Sequence, residues 1–268
     1  VGSEMCIRDR CLTANNDIPL RDFEFELTPP KISKDNPFPK IITIPTTAGT
    51  GAETEITAMV TYLEEGMKFC MWHPDARPVL ALVDPELTLK LPASLTAWTG
   101  VDALVHAIEG YCVPGFNPLC DGSAIESLSL ISKSLYLAVE EPKNLVARGG
   151  MHVGSYLGGV AFLKGLGLVH AISHMVGAEF NTQHGLTNAI ILPVVLRYNL
   201  SGMDEKVKRM SEAMQFEDHS IEAFITNIEK MLDRLNIPKS LSEIGVPEDC
   251  VERIAKKAMK DHAYATNP

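Results

Sequence analysis

The chain has 268 residues, of which 46% are hydrophobic and 22% are charged. This composition is typical of a globular protein with a sizeable core, and it excludes a disordered or fibrous chain. Acidic residues outnumber basic residues by 34 to 24, which gives a net charge of −10. No run of five basic residues occurs, so neither a nucleic acid nor an anionic membrane is expected as a partner.

Six cysteines are scattered at positions 6, 11, 70, 112, 120 and 250, without a CxxC pair. Such scatter is typical of free thiols in a reducing compartment. The most apolar stretch, 157–180, contains a lysine and two histidines, which is too polar for a membrane span of roughly 18 apolar residues. We therefore predict a soluble, cytoplasmic protein.

Residues 1–10 lack a starting methionine, an apolar segment and hydrophobic periodicity, so they are not a signal peptide. They are predicted to be a non-native or disordered stretch outside the fold. At the other end, the chain stops at 266–268, directly after an amphipathic helical pattern. We therefore expect a fragment that is truncated at both ends.

Residues 11–92 are predicted to form an incomplete α/β portion. Prolines make 12–40 irregular, and β-branched or apolar runs predict strands at 41–44, 56–63 and 78–83. The last of these runs is continuous, as in a buried parallel sheet. A turn rich in threonine and glycine, 46–51, follows the first strand.

From residue 93 to 268 the pattern is helical, which predicts a separate all-α domain. Ser94 is a candidate cap for the first helix. Helical spacing predicts helices at 94–111, 120–139, 145–163, 168–179, 187–198, 203–235, 238–244 and 247–259.

Asp102 and His106 lie four residues apart in an apolar helical stretch, and so do His170 and His174. This spacing stacks each pair on one helix face, and burying such groups without partners costs several kcal/mol. His184 follows 14 residues after His170, in a predicted loop that returns toward the same centre. Spacing thus selects one carboxylate and three imidazoles as metal ligands, a set that suits Fe(II), Zn(II), Co(II) or Ni(II). These ligands are Asp102, His106, His170 and His184.

Other interpretations compete with a metal site. A buried histidine is usually a satisfied core residue, and an Asp/His pair at this spacing is usually an ion pair within a helix. Two such pairs together favour the metal. Glu109 lies on the face of Asp102 and is a candidate hydrogen-bond partner for an imidazole N–H. The remaining histidines are predicted to be structural: His73, His152, His219 and His262.

The turn 46–53 contains glycines that let the backbone approach a ligand, and its hydroxyl and N–H groups suit phosphate or ribose. It matches neither a P-loop nor G-x-G-x-x-G, so a plain turn is an equal alternative.

Taken together, these segments resemble the iron-containing (group III) alcohol dehydrogenase family. The stretch 45–53, PTTAGTGAE, is similar to that family's PTTAGTGSE loop, with Ala52 in place of serine. The stretches 83–87, 100–109, 167–193 and 266–268 resemble later signatures of the family. The resemblance is dense over 40–200 and thins toward 268.

The resemblance implies the same four metal ligands and a proton-relay role for His174 as the catalytic residue. It implies that a nicotinamide cofactor contacts Thr46, Thr47, Gly49 and Thr50, and that Lys68 reaches its ribose. The implied fold is a dinucleotide-binding α/β domain followed by a helical metal domain, as in dehydroquinate synthase-like proteins. The family's first hundred or so residues, with the pyrophosphate loop and the acidic residue that selects NAD or NADP, have no counterpart here. The chain is therefore predicted to keep its metal site and to lose most of its cofactor affinity.

The implied function is hydride transfer between an alcohol and NAD or NADP, with Fe(II), or Zn(II), polarising the oxygen. The expected partners are a small alcohol or aldehyde and further copies of the chain, as a homodimer or higher oligomer. Three alternatives remain open: a metal-hydroxide hydrolase or lyase without nicotinamide, a hydroxyacid–oxoacid transhydrogenase, and a non-enzymatic metal-binding module.

Overall fold

The computed structural model describes residues 5–268. It begins with a helix, α1 (Met5–Thr13), whose residues Cys11 and Leu12 are buried. From Met5 onward the chain is helical, and α1 contacts β2; that residues 1–10 are a non-native or disordered stretch stays a prediction. Residues 1–4 lie outside the described part.

The strands form two small sheets. In the first, β1 (Ile42–Thr43) pairs in parallel with β4 (Leu80–Ala81). In the second, β2 (Thr57–Tyr62) pairs antiparallel with β3 (Met67–Trp72). The sequence pattern predicted three of these strands and missed β3, which lacks β-branched residues.

The first sheet is more exposed than its sequence suggested. The strand over 78–83 was predicted to be buried, but Val79, Leu80 and Leu82 are each more than half exposed. The expectation of burial was wrong because the ladder between β1 and β4 spans only two residue pairs, and its outer side chains point to solvent.

Eight further helices follow in chain order. The first five are α2 (Ala93–Cys112), α3 (Pro118–Glu140), α4 (Leu145–Ala161), α5 (Leu168–Phe180) and α6 (His184–Asn199). The last three are α7 (Asp204–Ala213), α8 (Ile221–Arg234) and α9 (Val251–Ala258).

Three helix predictions need correction. In the stretch 238–244, only Leu241–Ile244 is helical, and it forms a short 3₁₀ helix. The stretch 203–235 is two helices, because Gln215 adopts a left-handed backbone (φ 61°) and Ser220 caps the start of α8. The helix α2 begins one residue before Ser94, and Pro92 occupies the cap position without a side-chain hydrogen bond.

The central helix of the molecule is α2, and every residue from 99 to 112 is buried. It packs against α3, α4 and α6, and the largest apolar cluster of the molecule forms around it. Polar groups on α2 are therefore held inside the core, where each of them requires a partner. The fold is the predicted α/β portion followed by helices.

No single helix among the described residues is long and apolar enough to span a membrane. One pair, Leu145–Lys164 and Leu168–Phe180, passes that test only when the two segments are taken together, and they meet at 104°.

Candidate metal centre

Four side chains converge between α2, α5 and α6. One ligand atom from each of Asp102, His106, His170 and His184 lies within 4.8 Å of the others. Asp102 Oδ1 is 3.9 Å from His106 Nε2, 3.8 Å from His170 Nε2 and 3.5 Å from His184 Nε2. Metal–ligand bonds of about 2.1 Å in a tetrahedron separate the ligand atoms by roughly 3.4 Å, so the cluster fits a bound divalent ion.

His184 lies at a helix end rather than in the predicted loop. It is the first residue of α6, and the side chain of Gln183 caps that helix by accepting a hydrogen bond from Leu186 N (2.6 Å). Gly185 lets α6 approach α2 closely, because an added Cβ there would lie 2.3 Å from Trp98 O. The close approach brings His184 to Asp102.

Two of the imidazoles are oriented by hydrogen bonds on their far side. His170 Nδ1 donates to Glu109 Oε2 (2.7 Å), while Glu109 Oε1 accepts from Val169 N (2.7 Å). His106 Nδ1 donates to the carbonyl of Gly49 (3.3 Å). These contacts hold each Nδ1–H and leave Nε2 directed into the cluster. The partner role predicted for Glu109 is confirmed.

Asn188 joins the cluster without having been singled out by the sequence. Its Nδ2 donates to Asp102 Oδ1 (2.7 Å) and lies 3.2 Å from both His170 Nε2 and His184 Nε2. The signal was its spacing of four residues from His184, which places both side chains on one face of α6. Asn188 thus fixes the rotamer of the carboxylate.

The environment sets the charge of each group. Burial would raise the pKa of Asp102, but the neighbouring imidazoles of His106 and His184 lower it well below its usual range. Burial lowers the pKa of His106 to about 4 and that of His184 well below its ordinary value. Burial also opposes charge on His170, but hydrogen bonds to Asp102 and Glu109 outweigh it and raise the pKa of His170 to about 9. Without a metal, His170 is therefore protonated on both ring nitrogens near pH 7 and carries a positive charge.

His174 lies beside the cluster, and its ring centre is 5.4 Å from that of His184. Its Nδ1 donates to Asp261 Oδ2 (2.9 Å), and Asp261 Oδ1 accepts from Ala263 N (2.8 Å). Burial lowers the pKa of His174 well below its ordinary value, so the ring is neutral near pH 7. The sequence pattern did not signal Asp261, which is 87 residues away along the chain.

One of the histidines predicted to be structural belongs to this region. The His262 ring stacks 5.9 Å from that of His174 and lines the cavity described below. The other three lie elsewhere: His73 caps a 3₁₀ turn, His152 is buried in α4, and His219 contacts the carbonyl of Phe216.

The cluster forms part of the wall of a cavity of about 340 Å³. The side chain of His184 is 23% exposed, whereas that of Asp102 is 3% exposed, so His184 opens the cluster to the cavity. A metal held here would face a space for a small organic ligand.

The predicted cofactor contacts are spread around this cavity. Thr50 lines it, and Gly49 packs on α2, where a Cβ would lie 2.7 Å from Thr99 O. Among the described residues of this loop, Thr46 and Thr47 are not part of the cavity wall, and Thr46 is exposed. Lys68 is on β3, and its Nζ approaches Gly177 of α5.

This combination of an α/β portion, a helical bundle and a buried Asp/His₃ cluster at a cavity is typical of a metalloprotein with a small-molecule site. Residues 96–268 match the model of the Fe-containing alcohol dehydrogenase family, C-terminal, and residues 10–85 match that of iron-containing alcohol dehydrogenase. The chain belongs to the iron-containing alcohol dehydrogenase family.

Individual relatives agree with this placement. The chain is 37% identical over 243 residues to the NAD-dependent methanol dehydrogenase of Bacillus methanolicus, covering 88% of this chain and 64% of the relative. It is 38% identical over 239 residues to the 4-hydroxybutyrate dehydrogenase of Cupriavidus necator, covering 85% and 61%. A crystal structure of 1,3-propanediol oxidoreductase superimposes with a TM-score of 0.90 at 34% identity, covering 98% of this chain and 70% of that one. The chain spans just under two thirds of the length of these two curated relatives.

Proposed function

We propose that this chain carries the metal and substrate site of a metal-dependent alcohol dehydrogenase that transfers a hydride between an alcohol and a nicotinamide cofactor. The observation that carries the proposal is the convergence of Asp102, His106, His170 and His184 in the wall of a cavity. Family membership and the NAD-dependent relative support the same reaction. Because the chain spans only part of its relatives, the activity of the whole protein belongs to the proposal.

The proposed metal is Fe(II), with Zn(II) as the alternative. One carboxylate and three imidazoles suit both ions, and the family's description favours iron. When bound, such an ion supplies Lewis-acid polarisation of the substrate oxygen. Glu109 and the carbonyl of Gly49 hold two of the imidazoles in the tautomer that binds a metal.

His174 is the proposed proton-transfer residue. Asp261 occupies its Nδ1, which leaves Nε2 as the nitrogen available to the cavity that His174 lines. A neutral imidazole accepts a proton, so His174 is in the protonation state needed to take the hydroxyl proton during alcohol oxidation. The Asp261 carboxylate stabilises the imidazolium that then forms.

The proposed cofactor, NAD or NADP, supplies the hydride chemistry when it is bound. Thr50, on the cavity wall, supports a nicotinamide position beside the cluster. Lys68 reaches the edge of α5 and provides an ammonium for a ribose hydroxyl. The proposed cofactor contacts are Thr46, Thr47, Gly49, Thr50 and Lys68.

Metal analysis of protein purified without oxygen tests this proposal. We expect about one Fe or Zn per chain in the wild type and none in His184→Ala, which removes a ligand. His174→Ala is the matched control, because it removes a neighbouring buried imidazole that is not part of the ligand set, so it keeps the metal and slows turnover. Equal metal content in the wild type and His184→Ala would contradict the proposal.

We propose the partners and the location from charge and thiol chemistry. The net charge of −10 and the free thiols at Cys70, Cys112, Cys120 and Cys250 support a cytoplasmic enzyme that binds neither nucleic acid nor membrane. The exposed apolar side chains of β4 support a homodimer or higher oligomer. Light scattering on the purified chain measures that state.

A further inference from the structure

Arg148 is a buried cation without an acidic partner. It lies on α4 and is 2% exposed. Its Nε donates a hydrogen bond to the carbonyl of Pro142 (3.1 Å) and its Nη1 donates to Thr96 Oγ1 (2.9 Å), whereas its Nη2 has no hydrogen-bond partner. Among the residues that the structure describes, no carboxylate forms an ion pair with this guanidinium.

Burial makes this unbalanced charge unfavourable. A guanidinium stays charged at physiological pH, and a charge that leaves water without a counter-ion is strongly disfavoured. Burial lowers the pKa of Arg148, and no carboxylate acts against that shift. Asp84 acts on His152, one turn further along α4, but not on Arg148. The guanidinium therefore requires an anion that the described residues do not supply.

A small cavity lies beside this guanidinium. Its volume is about 10 Å³, which is room for one particle the size of a water molecule. Arg148 is the only charged residue on its wall among the described residues, so the wall contains no carboxylate. Besides Arg148, the wall consists of Ala48, Thr88, Leu91, Thr96, Thr99 and Met151.

Two hydrogen-bond donors of this wall lack an acceptor. One is Nη2 of Arg148, and the other is the hydroxyl of Thr96, which accepts from Arg148 but donates to no group among the described residues. The hydroxyls of Thr88 and Thr99 differ, because each donates to a backbone carbonyl (2.8 Å). A ligand that accepts hydrogen bonds is therefore favoured in this cavity.

The start of α2 adds a partial positive charge at the same place. Leu91 lies two residues before Ala93, the first residue of α2, and Thr96 lies in the first turn. The N-terminal end of a helix favours negative charge. No acidic residue occupies the first turn of α2, and Pro92 at the cap position makes no side-chain hydrogen bond. The helix end thus favours the same charge as Arg148.

We propose that this cavity binds one monatomic anion, chloride under physiological conditions, as the counter-ion of Arg148. The ion provides the negative charge that the guanidinium lacks and accepts from Arg148 and Thr96, whereas a water molecule provides no charge. Sulfate and phosphate, with five atoms each, exceed the room of about 10 Å³. Because Ala48 is part of the wall, the ion also contacts the loop whose next residue, Gly49, holds the His106 ring.

Urea unfolding at constant ionic strength tests for the anion. Sodium chloride replaces sodium gluconate, whose organic anion is too large for the cavity, at a total of about 100 mM. The chain is measured without metal, so that chloride has no metal to bind. Between about 1 and 100 mM chloride, we expect the ratio of folded to unfolded chain to rise at least tenfold, as for a dissociation constant of about 10 mM or less. Equal stability at both concentrations would overturn the proposal.

A pair of variants assigns the effect to Arg148. Arg148→Met removes the guanidinium and keeps an apolar side chain, so the response to chloride should disappear. Arg197→Met is the matched control, because the Arg197 side chain is 47% exposed and already paired with Glu229. It should keep the full response. An equal response to chloride in Arg148→Met and the wild type would overturn the proposal.

Bromide diffraction identifies the ion directly and does not depend on the folding of a variant. Bromide is similar to chloride in size and charge, and it scatters X-rays anomalously. In wild-type crystals grown with about 100 mM sodium bromide, we expect an anomalous peak within hydrogen-bond distance of Arg148 Nη2. A water molecule or a carboxylate of the chain at that position, without an anomalous peak, would overturn the proposal.

Discussion

The Glu109 carboxylate connects α2 to α5 at the candidate metal site. It accepts hydrogen bonds from the His170 ring and from the backbone at the start of α5, and it is 5% exposed. We expect Glu109→Gln to weaken metal binding about 10- to 100-fold, because an amide holds the His170 ring less firmly and reduces its basicity. Competition with a chelator measures the affinity.

The control for this change is Glu126→Gln, which neutralises an exposed glutamate of α3. It should leave the metal affinity unchanged. If both variants bind metal like the wild type, the contact between Glu109 and His170 does not orient a ligand.

The proton on His170 links metal binding to pH. With a pKa of about 9, His170 is protonated in the metal-free chain near pH 7.5, whereas His106, with a pKa of about 4, is neutral. A metal binds only the neutral ring, so loading should release about one proton per chain at pH 7.5. Calorimetry in buffers of different ionisation enthalpy counts that proton.

The raised pKa of His170 also makes the stability of the metal-free chain depend on pH. The pKa of His170 is raised in the folded state above its unfolded value of about 6.5, so its stabilising contribution is full below pH 6.5. The contribution disappears as the pH rises through about 9. The metal-free chain should lose stability over this window, and the metal-loaded chain should not, since its His170 has already lost the Nε2 proton and keeps only the Nδ1 proton that it donates to Glu109. Denaturant unfolding at several pH values checks both forms.

At the scale of single residues, the local sequence pattern predicted the side chains that the helix repeat places on one face. Asp102, His106 and Glu109 lie on one face of one helix, and their spacing alone made them candidates. Asn188 and Asp261 were missed because each is recognised by a contact to a different helix, which no local pattern records.

Gly185 sets the distance between two helices. Its missing side chain lets α6 rest on the backbone of α2 at Trp98, and a Cβ would lie 2.3 Å from that carbonyl oxygen. We expect Gly185→Ala to lower the free energy of unfolding by about 1–3 kcal/mol through overpacking. It should also weaken metal binding, because His184 moves with α6. Urea unfolding and metal analysis measure the two effects.

Gly122 is the matched control for this substitution. It lies within α3, where an added Cβ meets nothing within 4 Å. Gly122→Ala should therefore raise the free energy of unfolding by up to about 1 kcal/mol, through helix propensity alone. The same sign in both variants would mean that the close approach of α6 to α2 is not the limiting contact.

The helices and strands followed their sequence patterns where the pattern was strongly periodic. The bounds of α2 to α5 agree with prediction to within two residues. By contrast, β3 was missed because its partner β2 decides its conformation through the ladder. The helix predicted over 203–235 is interrupted because a single left-handed residue, Gln215, ends α7 without disturbing the polar and apolar spacing.

At the scale of the whole molecule, the reactivity of the buried cysteines measures how well the core excludes a small reagent. All five whose side chains are described are buried, and burial raises the pKa of Cys112 to about 12. Alkylation requires access to the sulfur as well as the thiolate, so these buried thiols should resist iodoacetamide at pH 8 in the folded protein. Mass spectrometry of each peptide measures the labelling.

The same reaction in urea is the reference, and there all the cysteines should be labelled. Each described thiol should react at least tenfold more slowly in the native protein. Native labelling of Cys112 at the rate seen in urea would mean that the contact of α2 with its neighbours opens readily.

The different roles of His170 and His174 show what a local sequence pattern cannot predict. The helix repeat places His170 and His174 on one face of α5, and this follows from sequence because the 3.6-residue repeat is a property of the backbone. Which of them turns toward Asp102 depends on partners from distant segments: Glu109 of α2 holds the ring of His170, and Asp261 holds the ring of His174. The same is true of the cavity, whose apolar wall combines β2, β3 and the segment between α4 and α5. Periodicity records which residues share a face, whereas packing of whole elements determines what that face meets.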